Sequence, residues 1–143
     1  MYSYPVEMTA DDNDTLLVTF PDVPGAITYG ETEAEALDHA VDALETILSA
    51  MIADRQDIPF PSPANGRPTV APTLLGRLKV ILYLAMRARG WRKADLARAL
   101  AIDPRMVDRL LDLRHRSTVT QLDQALRACG GRYEVTMREA EAA

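Results

Sequence analysis

Apolar residues cluster in three short β-favouring runs near the amino terminus and then recur at helical spacing, a change of period that predicts a small sheet followed by helices. Tyr2 to Met8, Thr15 to Phe20 and Ala26 to Gly30 predict three strands. Between them, Asp11-Asp12-Asn13-Asp14 suits a hairpin loop, and Pro24-Gly25 suits the second and third positions of a type II turn. Thr32-Glu33-Ala34-Glu35 reads as a capping box whose acidic first turn complements the positive end of a helix dipole. Leu37, Val41, Leu44, Ile47, Leu48 and Met51 then give that helix a buried stripe, with Asp38, Asp42 and Glu45 on another face.

Asp57 to Thr73 carries five prolines and an Asn-Gly pair and continues neither a helix nor a central strand. Beyond it, Leu74 to Ala88 predicts a helix with Leu75, Leu78, Ile81, Leu82 and Ala85 on one face. "RKADLARAL", the connection "AIDP" and "RMVDRLLDL" predict two short helices with a brief turn, the second opened by Asp103 as cap and Pro104 at the first helical position. A further capping box, Thr118 to Gln121, opens a helix that Gly130-Gly131 stops. Tyr133, Val135 and Met137 alternate with polar residues as in a half-buried strand. The expected organisation is residues 1–60 as one unit, 61–73 as a proline-rich linker and 74–138 as a second unit.

Charge follows the same division. Residues 1–60 hold 13 acidic residues against one arginine, whereas residues 61–143 hold 8 acidic and 15 basic residues. Such asymmetry predicts a cationic partner for the first unit and a polyanion for the second. No apolar run reaches the roughly 18 residues of a membrane span, and the amino terminus lacks a signal-peptide layout, so a cytoplasmic protein with no membrane partner is expected. Cys129, the one cysteine, reads as a buried apolar residue.

Catalytic chemistry finds little support. A metal-dependent nuclease needs converging carboxylates, and Glu7 is the lone strand carboxylate. His39 lacks a companion ligand, and neither a nucleophile elbow nor a phosphate-cradling glycine loop is present. The expectation is a protein that is not an enzyme and needs no metal or cofactor.

The run "FPDVPGAITYGETEAEALDHAVDALE" with its proline-rich exit resembles, over residues 2 to 62, the amino-terminal domain of HicB-type antitoxins. The resemblance implies a degenerate ribonuclease-H-like antiparallel sheet with one long helix, lacking catalytic carboxylates, that binds and blocks a small basic HicA-like ribonuclease toxin. It makes Phe20, Pro21, Asp22, Val23, Pro24 and Gly25 the hallmark turn. Val23, Ile27 and Tyr29 are the expected apolar contacts with the toxin, a core role being the alternative for each.

Residues 74 to 130 resemble the helix-turn-helix domains of the phage-repressor and Cro type, through Leu96-Ala97, Leu100, Ile102, Val107 and Leu110. That resemblance sets Arg92 and Lys93 against phosphate at the start of the first motif helix. It puts Pro104, Arg105, Asp108 and Arg109 on the recognition face, and Arg114, His115 and Arg116 in a phosphate-binding loop. Ala101 stands where that fold often has glycine in the turn, and the glycine often found after the recognition helix is replaced near Leu113, so either connection is open to a different shape. The fold class is thus α+β: a small sheet with one long helix, then an all-α helix-turn-helix domain with a short carboxy-terminal strand. Pairing of Tyr133, Val135 and Met137 with the same strand of a second chain would give a homodimer, or within a larger assembly a homotetramer; a frayed tail is the alternative. The expected function is an antitoxin that blocks its toxin and represses its own operon by binding operator double-stranded DNA. A stand-alone helix-turn-helix regulator with a sensing amino-terminal unit is the alternative.

Overall fold

The computed structural model describes residues 2–139. Acidic residues close the first hairpin: the Asp11 N–H donates to Thr15 O at 2.8 Å, and Asp14 takes a left-handed φ of 57°. This joins β2 (Glu7–Ala10) to β3 (Leu16–Thr19). β4 (Ile27–Gly30) follows after the Pro24-Gly25 turn, in which the Ala26 N–H donates to Val23 O at 3.2 Å and Gly25 has the φ of +96° that a type II turn requires. The three strands form an antiparallel sheet in the order β2-β3-β4, with Met8 opposite Val18 and Val18 opposite Thr28.

The first predicted strand is broken at Val6. Its beginning, β1 (Tyr4–Pro5), pairs antiparallel with β5 (Thr69–Val70), and Val6 N–H donates to Pro68 O at 2.9 Å. The proline-rich stretch is therefore laid against the first unit. Tyr4 Oη donates to Pro59 O at 2.7 Å, and the Asp22 carboxylate accepts from both the Ser62 N–H and its hydroxyl.

Helix α1 (Glu33–Ala53) starts on Thr32, whose hydroxyl accepts the Glu35 N–H at 3.1 Å. Only that half of the expected box forms, and the Glu35 carboxylate lies 3.8 Å from His39 Nε2. The buried stripe is Ala36, Ala40, Leu44, Leu48 and Ile52, rotated from the expected one, so that Leu37, Val41, Ile47 and Met51 flank it half-buried. Small residues take the closest approach to the sheet. A Cβ on Gly30 would stand 2.3 Å from the Ala36 backbone nitrogen.

Helix α2 (Leu74–Ala88) begins on Thr73, which accepts the Gly76 N–H. Its wholly buried residues are Gly76, Lys79, Val80, Leu82, Tyr83 and Met86, with Leu75, Leu78, Ile81 and Ala85 half-buried at their sides. Helix α3 (Lys93–Leu100) packs on α4 (Pro104–Leu111) and α5 (Val119–Ala128), and these two pack on α2, with Leu96, Val107, Leu110, Leu122 and Leu126 buried. Asp103 accepts the Arg105 N–H, with Pro104 at the first helical position, and Thr118 and Gln121 cap each other's backbone reciprocally. Ala101, in the glycine-favouring turn, adopts the left-handed conformation anyway, at φ 54° and ψ 46°. Cys129 is buried.

The carboxy-terminal strand does not form within the single chain. Residues 132–139 have no regular structure, and Tyr133, Val135 and Met137 are exposed. The helices around them offer no sheet edge to pair with. Among the described residues no helix is long and apolar enough to cross a membrane.

Gly30→Ala is expected to cost several kcal/mol, since its methyl group would meet backbone that cannot move without shifting α1. Gly66→Ala, with nothing within 4 Å of the added Cβ, is expected to cost about 1 kcal/mol from its positive φ alone. Urea denaturation of the two variants measures the difference.

Candidate functional site

Two surfaces follow from the fold, one on each side of the charge division. On the acidic side, α1 covers one face of the sheet and leaves β4 as an edge strand. Ile27 and Tyr29 alternate with Thr28 and lie on the other face, 51% and 48% exposed, in register with Thr19 and Leu17 of β3. The exposed carboxylates of Glu31, Glu33 and Asp38 follow directly in sequence. Phe20 and Val23 are buried and shape the hallmark turn from within, so they present no contact surface. Pro21, Pro24 and Gly25 are its exposed part, while Asp22 is committed to Ser62. His39 Nδ1 hydrogen-bonds the Tyr29 carbonyl at 2.7 Å. Among the described residues no group of three or more His, Cys, Asp or Glu side chains is placed to hold a metal ion.

On the basic side, α4 projects Arg105 and Arg109 from one exposed face, four residues apart. Arg105 folds back on its own cap, with Nη2 3.2 Å from Asp103 Oδ2, and the guanidinium holds that carboxyl below its usual range. Lys93, at the first position of α3, reaches Asp108 Oδ1 at 2.5 Å and so ties α3 to α4. Pro104 is exposed at the start of α4. Among the described residues, Arg92, Arg109 and Arg116 have no carboxylate within ion-pair distance.

Arg114 is held by the acidic half. Its Nη1 lies 3.2 Å from both Asp42 O and Thr46 Oγ1 and 3.6 Å from Asp42 Oδ1. Two further bonds make the same junction: Ser49 Oγ accepts the Leu113 N–H at 2.9 Å, and Glu45 Oε1 accepts the Thr73 N–H at 3.3 Å. Glu45, expected on an outward face, is buried at the amino end of α2, where a carboxylate complements the helix dipole. Its spacing of three and seven residues from Leu48 and Ile52 was the available signal.

The residue that shapes this surface was not singled out by the sequence reading. Lys79 is fully buried, and its ammonium bonds Arg109 O at 2.8 Å, Asp112 O at 2.7 Å, His115 O at 2.7 Å and Ser117 Oγ at 2.9 Å. One cation thus gathers the carboxy end of α4 and the loop beyond it, in place of a glycine cap. Burial lowers its pKa to about 8, against the opposing pull of the Asp112 and Glu45 carboxylates. Its place on one helix face with Val80, Tyr83 and Met86 was the sequence signal.

Residues 3–81 match a family described as the HicB-like antitoxin of bacterial toxin-antitoxin systems. An Antitoxin HicB 2 of Photorhabdus laumondii is 35% identical over 132 residues, covering 92% of this chain and 94% of that protein. An Antitoxin HicB of Escherichia coli is 33% identical over 94% of this chain and 98% of its own length, and one of Pseudomonas fluorescens is 32% identical over 98% and 97%.

Lys79→Met, which leaves three carbonyl groups without their donor, is expected to destabilise the protein by about 3–5 kcal/mol. Lys93→Met, at a half-exposed pair, is expected to cost about 1 kcal/mol or less. Lysine keeps its proton to 10.5 in the unfolded chain but releases it near 8 when folded. The stability gap between the parent protein and Lys79→Met should therefore widen as pH rises from about 7 to about 10 in equilibrium denaturation.

Proposed function

The chain belongs to the HicB-like antitoxin family, a family of regulatory antitoxins and not of enzymes, and on that footing we propose that it joins two binding activities. Residues 1–60, as a degenerate ribonuclease-H-like domain, bind and block a HicA-like ribonuclease toxin. Residues 74–138, as a helix-turn-helix domain of the phage-repressor type, bind operator DNA and repress the protein's own operon. Tyr133, Val135 and Met137 pair with the same segment of a second copy, giving a homodimer or homotetramer with two recognition helices for a palindromic operator.

The observation that carries the reading is the segregation of two unlike surfaces. One is an apolar edge strand beside carboxylates, and the other a pair of exposed arginines on one helix. Opposite charge speeds encounter with a basic toxin, and burial of Ile27 and Tyr29 lengthens the residence time. The sheet order β2-β3-β4 followed by a covering helix supports the ribonuclease-H-like reading. The three-residue connection with a left-handed Ala101 between α3 and α4 supports the helix-turn-helix reading. Arg105 and Arg109 share the face that would meet guanine edges in a major groove, and Arg92, Lys93 and Arg116 are disposed for phosphates.

Tyr29→Ala with Ile27→Ser is expected to weaken the toxin complex at least tenfold and leave operator affinity unchanged, as read by calorimetry and fluorescence anisotropy. Arg105→Ala is expected to do the converse, at a cost of about 1–3 kcal/mol of operator binding. If both variants weakened the same partner, the division of labour would be refuted.

A further inference from the structure

Arg55, the single basic residue among the first 60, stands just beyond the carboxy end of α1 in a conformation that favours glycine. Its φ is 57° at the position after the helix cap, in a turn closed by its own N–H to Ile52 O at 3.0 Å and the Gln56 N–H to Met51 O at 2.8 Å. The turn is fastened to α2. Arg87 Nη1 donates to Arg55 O and to Tyr83 Oη, each at 2.7 Å, while Arg87 Nη2 meets Asp57 Oδ1 at 2.6 Å. Arg55 thereby lines a cleft of 250 Å³ together with Trp91, Arg92 and Lys93, the residues that lead into α3.

Charges in this cleft are not all met. Asp57 pairs with Arg87 and Asp108 with Lys93, but among the described residues no carboxylate lies within ion-pair distance of Arg55 or Arg92. Both side chains are exposed. A cationic toxin would be repelled here. A duplex entered by α4 would bring phosphates to the neighbouring α3, because the Lys93–Asp108 pair holds this end of α3 against α4. We propose that Arg55 is a phosphate-contacting residue of the DNA interface, so that the acidic half contributes a backbone contact beside Arg92 and Lys93. The proposal rests on the operator-binding reading, and it explains why an arginine occupies a backbone position that glycine would fill with less strain.

The test uses the full-length protein and anisotropy titrations of the DNA upstream of its own gene and of an unrelated duplex over a series of KCl concentrations. Arg55→Gln and Arg55→Gly are expected to lower affinity for both duplexes by the same factor, about 3–10-fold at low salt, and to reduce the slope of log K against log[salt] by about 0.9. Arg55→Lys should keep the slope. Arg55→Gly also separates contact from architecture: glycine suits the turn, so its melting temperature should equal or exceed the parent's while the contact is lost. Unchanged affinity and slope in Arg55→Gln, with Arg105→Ala still losing the operator, would overturn the proposal and leave the operator reading standing. Failure of the parent protein to prefer its operator would overturn both.

Discussion

A single buried ammonium organises the basic half of the protein. An unpaired charge removed from water costs several kcal/mol even after relaxation, and Lys79 offsets part of that cost by placing three N–H groups among four oxygens drawn from the end of α4 and the following loop. Asp112 ends α4 in an extended conformation with ψ of 111°, so the chain leaves the helix without a glycine, and the Lys79 bonds hold it there. The direction in which α4 projects its arginines, and the loop carrying Arg114, His115 and Arg116, depend on that bond set.

The acidic helix is the second constraint. α1 supports the sheet through Gly30 and the alanines of its first turns, and with its other flank it grips the basic half through Asp42, Glu45, Thr46 and Ser49. The charge division read from the sequence is therefore also an internal contact. Arg114, which the resemblance assigned to phosphate, spends its hydrogen bonds on α1 in the isolated chain. The buried apolar residues of both halves form one connected cluster, and a partner acting on α1 would act on the loop that α1 holds.

Local chemistry was legible in the sequence where a few neighbouring residues decide the outcome. The type II turn at Pro24-Gly25, the Asp103-Pro104 helix start, the reciprocal Thr118–Gln121 cap and the limits of α2 all depend on contacts within four residues. The rotated stripe of α1 was not legible, because Ala36 and Ala40 lie buried against the sheet beside Gly30 while bulkier residues flank them; on α2 a lysine, a valine and a tyrosine share the buried face with Leu82. Lys79 and Glu45 escaped for a related reason: each is a charged residue on an apolar face whose partners lie 28 or more residues away. The break at Val6 and the folding of the proline-rich stretch onto β1 required the pairing of segments more than 60 residues apart. The tail alternates like a strand, yet period alone supplies no partner, and a single chain leaves it unpaired.

The proposed toxin-binding role is tested most directly by native mass spectrometry of the tagged protein, expressed together with the adjacent reading frame. The account predicts a stoichiometric complex with a small basic protein that stays bound through purification and separates only in denaturant. Recovery of the chain alone, with that neighbouring protein present in the cell, would contradict it and leave the apolar edge of β4 without an occupant.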